Sequence, residues 1–88
     1  MKRYYRNRNA IAGRIDNDLV MMDIDRGKYF SLNPVATRIW ELLETPRELS
    51  EICLQLREEF DVEEARCHAE TSACLSEMVD LGLLSESA

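Results

Sequence analysis

The amino-acid sequence predicts an α+β fold, in which a three-stranded antiparallel sheet is followed by three helices in the order βββααα. Residues 10–32 show the period-two alternation of strands, interrupted by two short turn signals. From Asn33 onward the apolar residues adopt the spacing of three and four that is typical of amphipathic helices. With 88 residues, the chain has room for one domain with a single modest core.

The three strands are predicted over residues 10–15, 19–25 and 28–32. Asp and Asn residues form the first turn, because their side chains hydrogen-bond the local backbone. Gly27 supplies the left-handed residue that the second turn requires. In the second strand, the alternation predicts that three apolar side chains face the core and that the aspartates face away. The predicted core-facing residues of the second and third strands are Val20, Met22, Ile24, Phe30 and Leu32.

The three helices are predicted over residues 34–44, 46–60 and 62–81. Asn33 and Pro34 end the sheet and begin the first helix, since Asn is a favoured N-cap and Pro is tolerated at the first helical position. Thr45 and Glu48 have the spacing of a capping box for the second helix. Gly82 is the expected C-terminal stop of the third helix.

The predicted domain covers residues 10–84. Residues 1–9 show no periodicity, so we expect them to form a loose N-terminal arm. Leu83 and Leu84 are expected to pack back on the core, and residues 85–88 form a polar C-terminal tail.

The charge is unevenly distributed along the chain. Residues 1–33 hold seven Lys/Arg against four Asp, a net of +3, whereas residues 34–88 hold four Arg against thirteen Asp/Glu, a net of −9. The order of elements is that of a winged-helix-like domain, in which the third helix would enter a DNA groove. Arg66 is the only basic residue there, so nucleic acid is not an expected partner.

No membrane segment is expected, because no apolar run approaches the roughly 18 to 20 residues that span a bilayer. The basic start MKRYYRNRN is not followed by the apolar run of a signal peptide. The three cysteines are odd in number and fall in predicted helices, unlike a disulfide framework. A cytoplasmic protein is the resulting expectation.

Catalytic and metal-binding patterns are weak in this sequence. Cys53, Cys67 and Cys74 leave a three-thiolate site as an alternative, but no CxxC occurs and Cys is a common buried apolar residue. His68 is the only histidine, and its neighbour Cys67 points about 100° away around the helix. We therefore expect no enzyme activity, no metal and no cofactor.

Three segments resemble one known family: GKYFSLNPVATRIWELL, a helix ending in REEFDV, and CLSEMVDLGLL near the end. Together they are similar to the PqqD-like family, also called the RiPP recognition element, over about residues 10–84. The resemblance implies a non-catalytic protein that binds the leader segment of a ribosomally made precursor peptide. That segment adds as an extra strand beside the third strand, in the cleft formed with the third helix, and the protein presents it to a modifying enzyme.

The resemblance also implies which residues bind the peptide. The peptide-pairing strand falls on Lys28, Tyr29, Phe30, Ser31 and Leu32. The acidic residue early in the family's third helix falls on Glu70, with a pocket floor formed by Cys67, Thr71 and Cys74. A rotation of that helix by one residue would place His68, Ser72 and Val79 in the groove instead.

The amino-acid sequence around the third predicted strand favours one branch of the family. The run DIDRGKYFSLN lacks the LYPEG-like motif of the pyrroloquinoline-quinone subgroup. It resembles the pattern D-x-x-x-G-x-Y-x-x-LN of stand-alone leader-binding proteins in lasso-peptide clusters. Expected partners are therefore the precursor peptide and an enzyme such as a leader peptidase or a radical-SAM enzyme. A chaperone for the pyrroloquinoline-quinone precursor and a small winged-helix DNA-binding regulator are the alternatives. An open strand edge also allows two copies to pair, so a homodimer stays open.

Overall fold

The computed structural model describes residues 2–8, 10–16, 18–23 and 25–87. Within these ranges the strands are β1 (Arg3–Arg6), β2 (Ala10–Ile15), β3 (Asp18–Asp23), β4 (Lys28–Leu32), β5 (Arg47–Glu48) and β6 (Leu84–Ser87). The helices are α1 (Pro34–Leu42), α2 (Leu49–Glu59) and α3 (Glu64–Asp80). No helix in the described ranges is both long and apolar enough to cross a membrane.

The three predicted strands form one antiparallel sheet with the order β2-β3-β4. The predicted bounds of β2 and β4 are confirmed, and so is the α+β fold in which three antiparallel strands precede three helices. Each residue of β4 has a partner on β3, with Phe30 opposite Met21 and Tyr29 opposite Met22. Because β3 is central, β4 is an edge strand of this sheet.

A second sheet, with the order β5-β1-β6, was not predicted. The loose arm expected at the N-terminus is wrong for Arg3–Arg6, which pairs with the strand that follows α3. Tyr4 is buried, and the expected packing of Leu83 and Leu84 onto the core is confirmed. The residues expected to be a polar tail pair with β1 as far as Ser87, so both ends of the described chain are held by one sheet.

The predicted inner face of β3 is wrong for Met22, which is exposed, whereas Leu19 and Met21 lie in the core. Val20 is buried, as expected, but it is not part of the core cluster, and Ile24 lies outside the described residues. A shift by one residue exchanges the two faces of a strand. The strand also ends at Asp23, which is buried although the alternation placed it on the exposed face. Burial is possible there because the Asp23 carboxylate accepts the backbone N–H of Arg26 at 3.3 Å.

The helix starts follow local hydrogen bonds. The predicted N-cap of α1 is confirmed, because the Asn33 side chain accepts the backbone N–H of Ala36 at 2.8 Å. The capping box predicted for Thr45 and Glu48 is wrong, since Glu48 is itself the N-cap and forms the box with Glu51. The backbone at residues 47–48 pairs with β1, and α2 begins only after that strand.

The core lies between the three helices and the inner face of the β2-β3-β4 sheet. Its most deeply buried side chains come from every helix and from both sheets: Met21, Ile39, Leu43, Ile52, Leu75, Leu83 and Leu84. Arg6 of β1 covers the ring of Trp40, with the guanidinium carbon 4.4 Å from the ring centroid, and its Nε donates to the Trp40 carbonyl at 3.1 Å. The predicted stop at Gly82 is confirmed by its left-handed φ of +82°.

If the terminal strands are part of the core, truncating one of their side chains destabilises the whole fold. Leu84 is 1% exposed, and we expect Leu84→Ala to lower the free energy of unfolding by about 2–5 kcal/mol through the cavity that it leaves. Leu54→Ala is the matched control, because Leu54 is 61% exposed and should change stability little. Urea denaturation measures both variants, and equal midpoints would contradict this account of the terminal sheet.

Candidate functional site

A cleft of about 440 Å³ lies between β4 and α3. The strand contributes Phe30, Ser31 and Leu32 to its lining, followed by Asn33 at the N-cap of α1. The helix contributes one continuous face at the spacing of three and four residues that places side chains on the same side. That face and its continuation consist of Glu70, Ala73, Cys74, Glu77, Met78, Leu81 and Leu83.

The strand wall of the cleft includes three of the five residues expected to bind a peptide. Phe30 and Leu32 are half-buried and pack against the core, so they anchor the strand and line the cleft at once. Lys28 and Tyr29 are exposed and do not line the cleft. Tyr29 is 76% exposed, and the alternation along β4 directs it away from the face that carries Phe30.

On α3 the structure separates the residues that were grouped from the sequence. Glu70 and Cys74 line the cleft, but Cys67 and Thr71 are buried towards α2. The Cys67 sulfur lies 3.9 Å from the Cys53 carbonyl oxygen across the two helices. Cys67 and Thr71, together with Glu70, line a smaller pocket of about 90 Å³. Its other lining residues are Val35, Leu56, Phe60 and Val62.

The alternative in which α3 is rotated by one residue does not match the cleft. The lining of the cleft includes none of His68, Ser72 and Val79. The residues of α3 and its C-cap that sequence reasoning missed are Ala73, Glu77, Met78 and Leu81. Their spacing from Glu70 was the available signal, because positions three, four, seven, eight and eleven residues further along share its helix face.

The helix wall of the cleft is acidic. Glu70 and Glu77 are seven residues apart, which separates them by about two helical turns. Arg66 pairs with Glu70 at 3.0 Å, but both side chains are largely exposed, so this ion pair contributes little stability. A basic group bound in the cleft would meet favourable charge at two points along the helix.

Cys74 is the thiol in this cleft, and its surroundings make it unreactive. Burial raises the pKa of the Cys74 thiol, and the nearby negative charge of Glu77 raises it further. The thiol is therefore neutral at pH 7 and lines the cleft as a small apolar group. Within the described ranges, no group of three His, Cys, Asp or Glu side chains is arranged to hold a metal ion.

The open edge of β4 is the second component of the site. An edge strand presents a row of unpaired N–H and C=O groups that another strand can bind. Five residues of β4 span about 17 Å, enough for a short extended peptide to pair along the whole strand. Such a peptide would lie over the cleft, with alternate side chains directed towards α3.

Comparison with known proteins identifies the family. The model of the family described as Coenzyme PQQ synthesis protein D (PqqD) matches residues 18–84. The chain belongs to this PqqD family. A comparison with curated proteins found no match.

Two solved structures are similar to almost the whole chain. One is described as TbiB1 in complex with the TbiA(beta) leader peptide, with 26% identity, a TM-score of 0.84, and coverage of 92% of this chain and 94% of that chain. The other is a lasso peptide synthetase B1 complexed with the leader peptide, with 20% identity, a TM-score of 0.81, and coverage of 93% and 96%. The second likeness is one of fold.

The raised pKa of Cys74 predicts slow alkylation. Because burial and the Glu77 charge both disfavour the thiolate, the rate of reaction with iodoacetamide should reach half of its maximum only above the ordinary thiol pKa of about 8.5. Glu77→Gln removes one cause and should shift the rise to lower pH, whereas the exposed Glu58→Gln should not. Mass spectrometry of the Cys74 peptide follows the rate, and a rise centred below pH 8.5 would contradict the assignment.

Proposed function

We propose that this chain is a recognition protein that binds the leader segment of a ribosomally synthesised precursor peptide. The peptide adds as a strand to the open edge of β4 and lies over the cleft beside α3. The observation that carries the proposal is this open edge next to a cleft, in a chain 26% identical to a protein solved with a leader peptide.

In strand addition, one set of protein groups supplies affinity for the peptide and another set supplies specificity. Main-chain hydrogen bonds to β4 supply affinity for any extended peptide, and pockets for alternate side chains supply specificity. The half-buried Leu81 and the largely buried Met78 make the lining partly apolar, whereas Glu70 and Glu77 favour a basic group. We therefore propose a leader that alternates apolar side chains with outward-facing residues and carries a lysine or arginine near the apolar positions.

The proposed site contains all the residues expected from the sequence, but they contribute to peptide binding in different ways. Lys28 to Leu32 act through their main chain, and Glu70 and Cys74 through the cleft. Cys67 and Thr71 act through the smaller pocket, which shares Glu70 with the cleft. We propose that the terminal strands β1 and β6 belong to the same domain as residues 10–84.

In this proposal the chain performs no chemistry itself and needs no cofactor. It acts in the cytoplasm and delivers the bound precursor to a modifying enzyme of the lasso-peptide type, such as a leader peptidase. A radical-SAM enzyme is the corresponding partner in other branches of the family. A second copy paired through β4 would occupy the edge that the leader needs, so a homodimer of that kind would compete with binding.

A chaperone for the pyrroloquinoline-quinone precursor is the second candidate, favoured by the description of the matching family. It would use the same strand edge and cleft with another peptide. Parallel titration with a pyrroloquinoline-quinone precursor peptide and with the leader encoded beside this gene separates the two candidates, because the physiological peptide should bind at least about tenfold tighter.

The direct test of the proposal is a titration with a fluorescein-labelled leader from the precursor gene that neighbours this one. We expect a Kd in the micromolar range or tighter, measured by fluorescence anisotropy, and much weaker binding of a scrambled leader with the same composition. Equal affinity for the scrambled peptide would contradict sequence recognition. A DNA duplex is the further control, and tight duplex binding that weakens steeply with salt would favour a DNA-binding regulator instead.

Proline substitutions test whether the edge of β4 binds the peptide. Neighbouring residues of an edge strand direct their N–H groups to opposite sides, so one of Lys28→Pro and Tyr29→Pro removes an outward N–H and the other removes an N–H that pairs with β3. We expect the outward variant to weaken leader binding while its melting temperature changes little, and the other to destabilise the sheet.

Both proline positions are exposed, and the matched controls are Lys28→Ala and Tyr29→Ala, which keep the N–H. Each proline variant is compared with its own alanine variant by anisotropy and thermal unfolding. Full leader affinity in both folded proline variants would show that the peptide does not pair with this strand.

A further inference from the structure

The two walls of the cleft are joined at one end by contacts among Asp23, Arg26 and Gly82. Asp23 is the last residue of β3, and Arg26 lies in the turn that leads into β4. Gly82 follows Leu81, the C-cap of α3, and stands between two cleft-lining residues, Leu81 and Leu83. These contacts, which we name the turn clamp, therefore connect the start of the strand wall to the end of the helix wall.

Gly82 is in close contact with the other two residues. A Cβ atom at this position would lie 3.2 Å from Oδ2 of Asp23 and 3.6 Å from the guanidinium carbon of Arg26. The φ of +82° already favours glycine, because a side chain is strained in the left-handed region. The close approach is a second reason for glycine, and it lets the carboxylate and the guanidinium lie directly against the backbone that ends α3.

Asp23 and Arg26 act as a unit in this position. The Asp23 carboxylate accepts the Arg26 backbone N–H at 3.3 Å, and its Oδ2 lies 3.5 Å from Nε of Arg26. The end of a helix carries partial negative charge, which repels a carboxylate and attracts a guanidinium. With Arg26 present, the pair is compatible with the end of α3. Without Arg26, a buried carboxylate would face that negative end alone.

A third segment reinforces the same corner. The Asn7 side chain donates to the Gly82 carbonyl at 2.7 Å and to the Leu84 carbonyl at 3.3 Å. The backbone N–H of Asn7 donates to the Leu83 carbonyl at 3.0 Å. The backbone that follows α3 is thus held from one side by β1 and its extension, and the turn clamp attaches the β3-β4 turn to that held backbone.

We propose that the turn clamp sets the spacing between β4 and α3, and that Asp23, Arg26 and Gly82 are positioning residues for leader binding. This inference rests on the proposed function, because it assigns the spacing to the bound peptide. A guest strand must pair with β4 and at the same time insert side chains against α3, so both contacts form only at one separation of the walls. The clamp holds that separation before the peptide arrives, which lowers the ordering cost of binding.

The main experiment compares Arg26→Ala with Arg14→Ala. Both arginine side chains are 55% exposed, each pairs with one carboxylate at about the same distance, and each substitution removes one positive charge. Using the labelled leader from the neighbouring precursor gene, we expect Arg26→Ala to weaken binding about tenfold, as for residues that couple to a site without touching the ligand. Arg14→Ala should stay within about twofold of the unsubstituted protein.

A purely structural role is distinguished by rescue and by stability. Arg26→Lys keeps the positive charge at the end of α3 and should recover most of the lost affinity, with all three variants measured at a temperature where thermal unfolding shows each of them to be fully folded. Equal leader affinity of Arg26→Ala and Arg14→Ala would overturn the proposal. If Arg26→Ala does not fold, Asp23→Asn takes its place, because it keeps the shape and the acceptor oxygen while removing the charge that Arg26 neutralises.

Hydrogen exchange of the protein without peptide separates failure of this inference from failure of the proposed function. If the unsubstituted protein does not bind the leader, the proposed function fails, but the clamp still predicts faster amide exchange over residues 28–32 and 78–84 in Arg26→Ala than in Arg14→Ala. Equal exchange in the two variants would show that the turn clamp does not hold the walls together.

Discussion

The structure depends on the placement of β4 at an edge of its sheet. One side of the strand pairs with β3 along its whole length, and Phe30 and Leu32 pack against the core. These two constraints hold the strand extended while its other side stays open. An extended edge is normally a liability, because it can pair with any free strand. In the proposed function, the cleft between β4 and α3 limits which strand fits, since a guest must also satisfy the acidic and apolar face of the helix.

With this arrangement, the proposed binding of a peptide does not depend on reactive side chains. The groups proposed to bind the peptide are mainly the N–H and C=O groups of β4, which any residue type can provide. Cys74 lies in the cleft, but burial raises its pKa and keeps it neutral. Cys53 and Cys67 face each other between α2 and α3, where burial likewise raises the pKa of Cys53. In the proposed function, selectivity for the peptide therefore rests on shape and charge along α3.

Local signals in the sequence predicted local features well. The bounds of β2 and β4 follow from alternation, the start of α1 from Asn33 and Pro34, and the end of α3 from Gly82. In each case the hydrogen bonds or backbone angles responsible lie within a few residues of the signal. The cleft between the third predicted strand and α3 joins residues far apart in the chain, and the family resemblance predicted it where no local signal could.

The errors concern features that depend on residues far apart in the chain. The strand β1 has only four residues, too few for a period, and its partner β6 lies about eighty residues later. The inner face of β3 was wrong at Met22 and Asp23, because the alternation gave no sign that Asp23 is buried beside Arg26 and the glycine that follows the C-cap of α3. On α3 the faces towards α2 and towards the cleft both carry small and polar residues, so spacing alone did not separate Cys67 and Thr71 from Cys74.

The measurement that tests strand addition most directly is amide hydrogen exchange of the leader complex, resolved by residue with NMR. The account predicts that alternate amides of β4 become protected when the leader binds, because only every second N–H of an edge strand points outward. The amides of β2, at the opposite edge of the same sheet, should not change. Protection of β2 or β6 with no change along β4 would contradict the account.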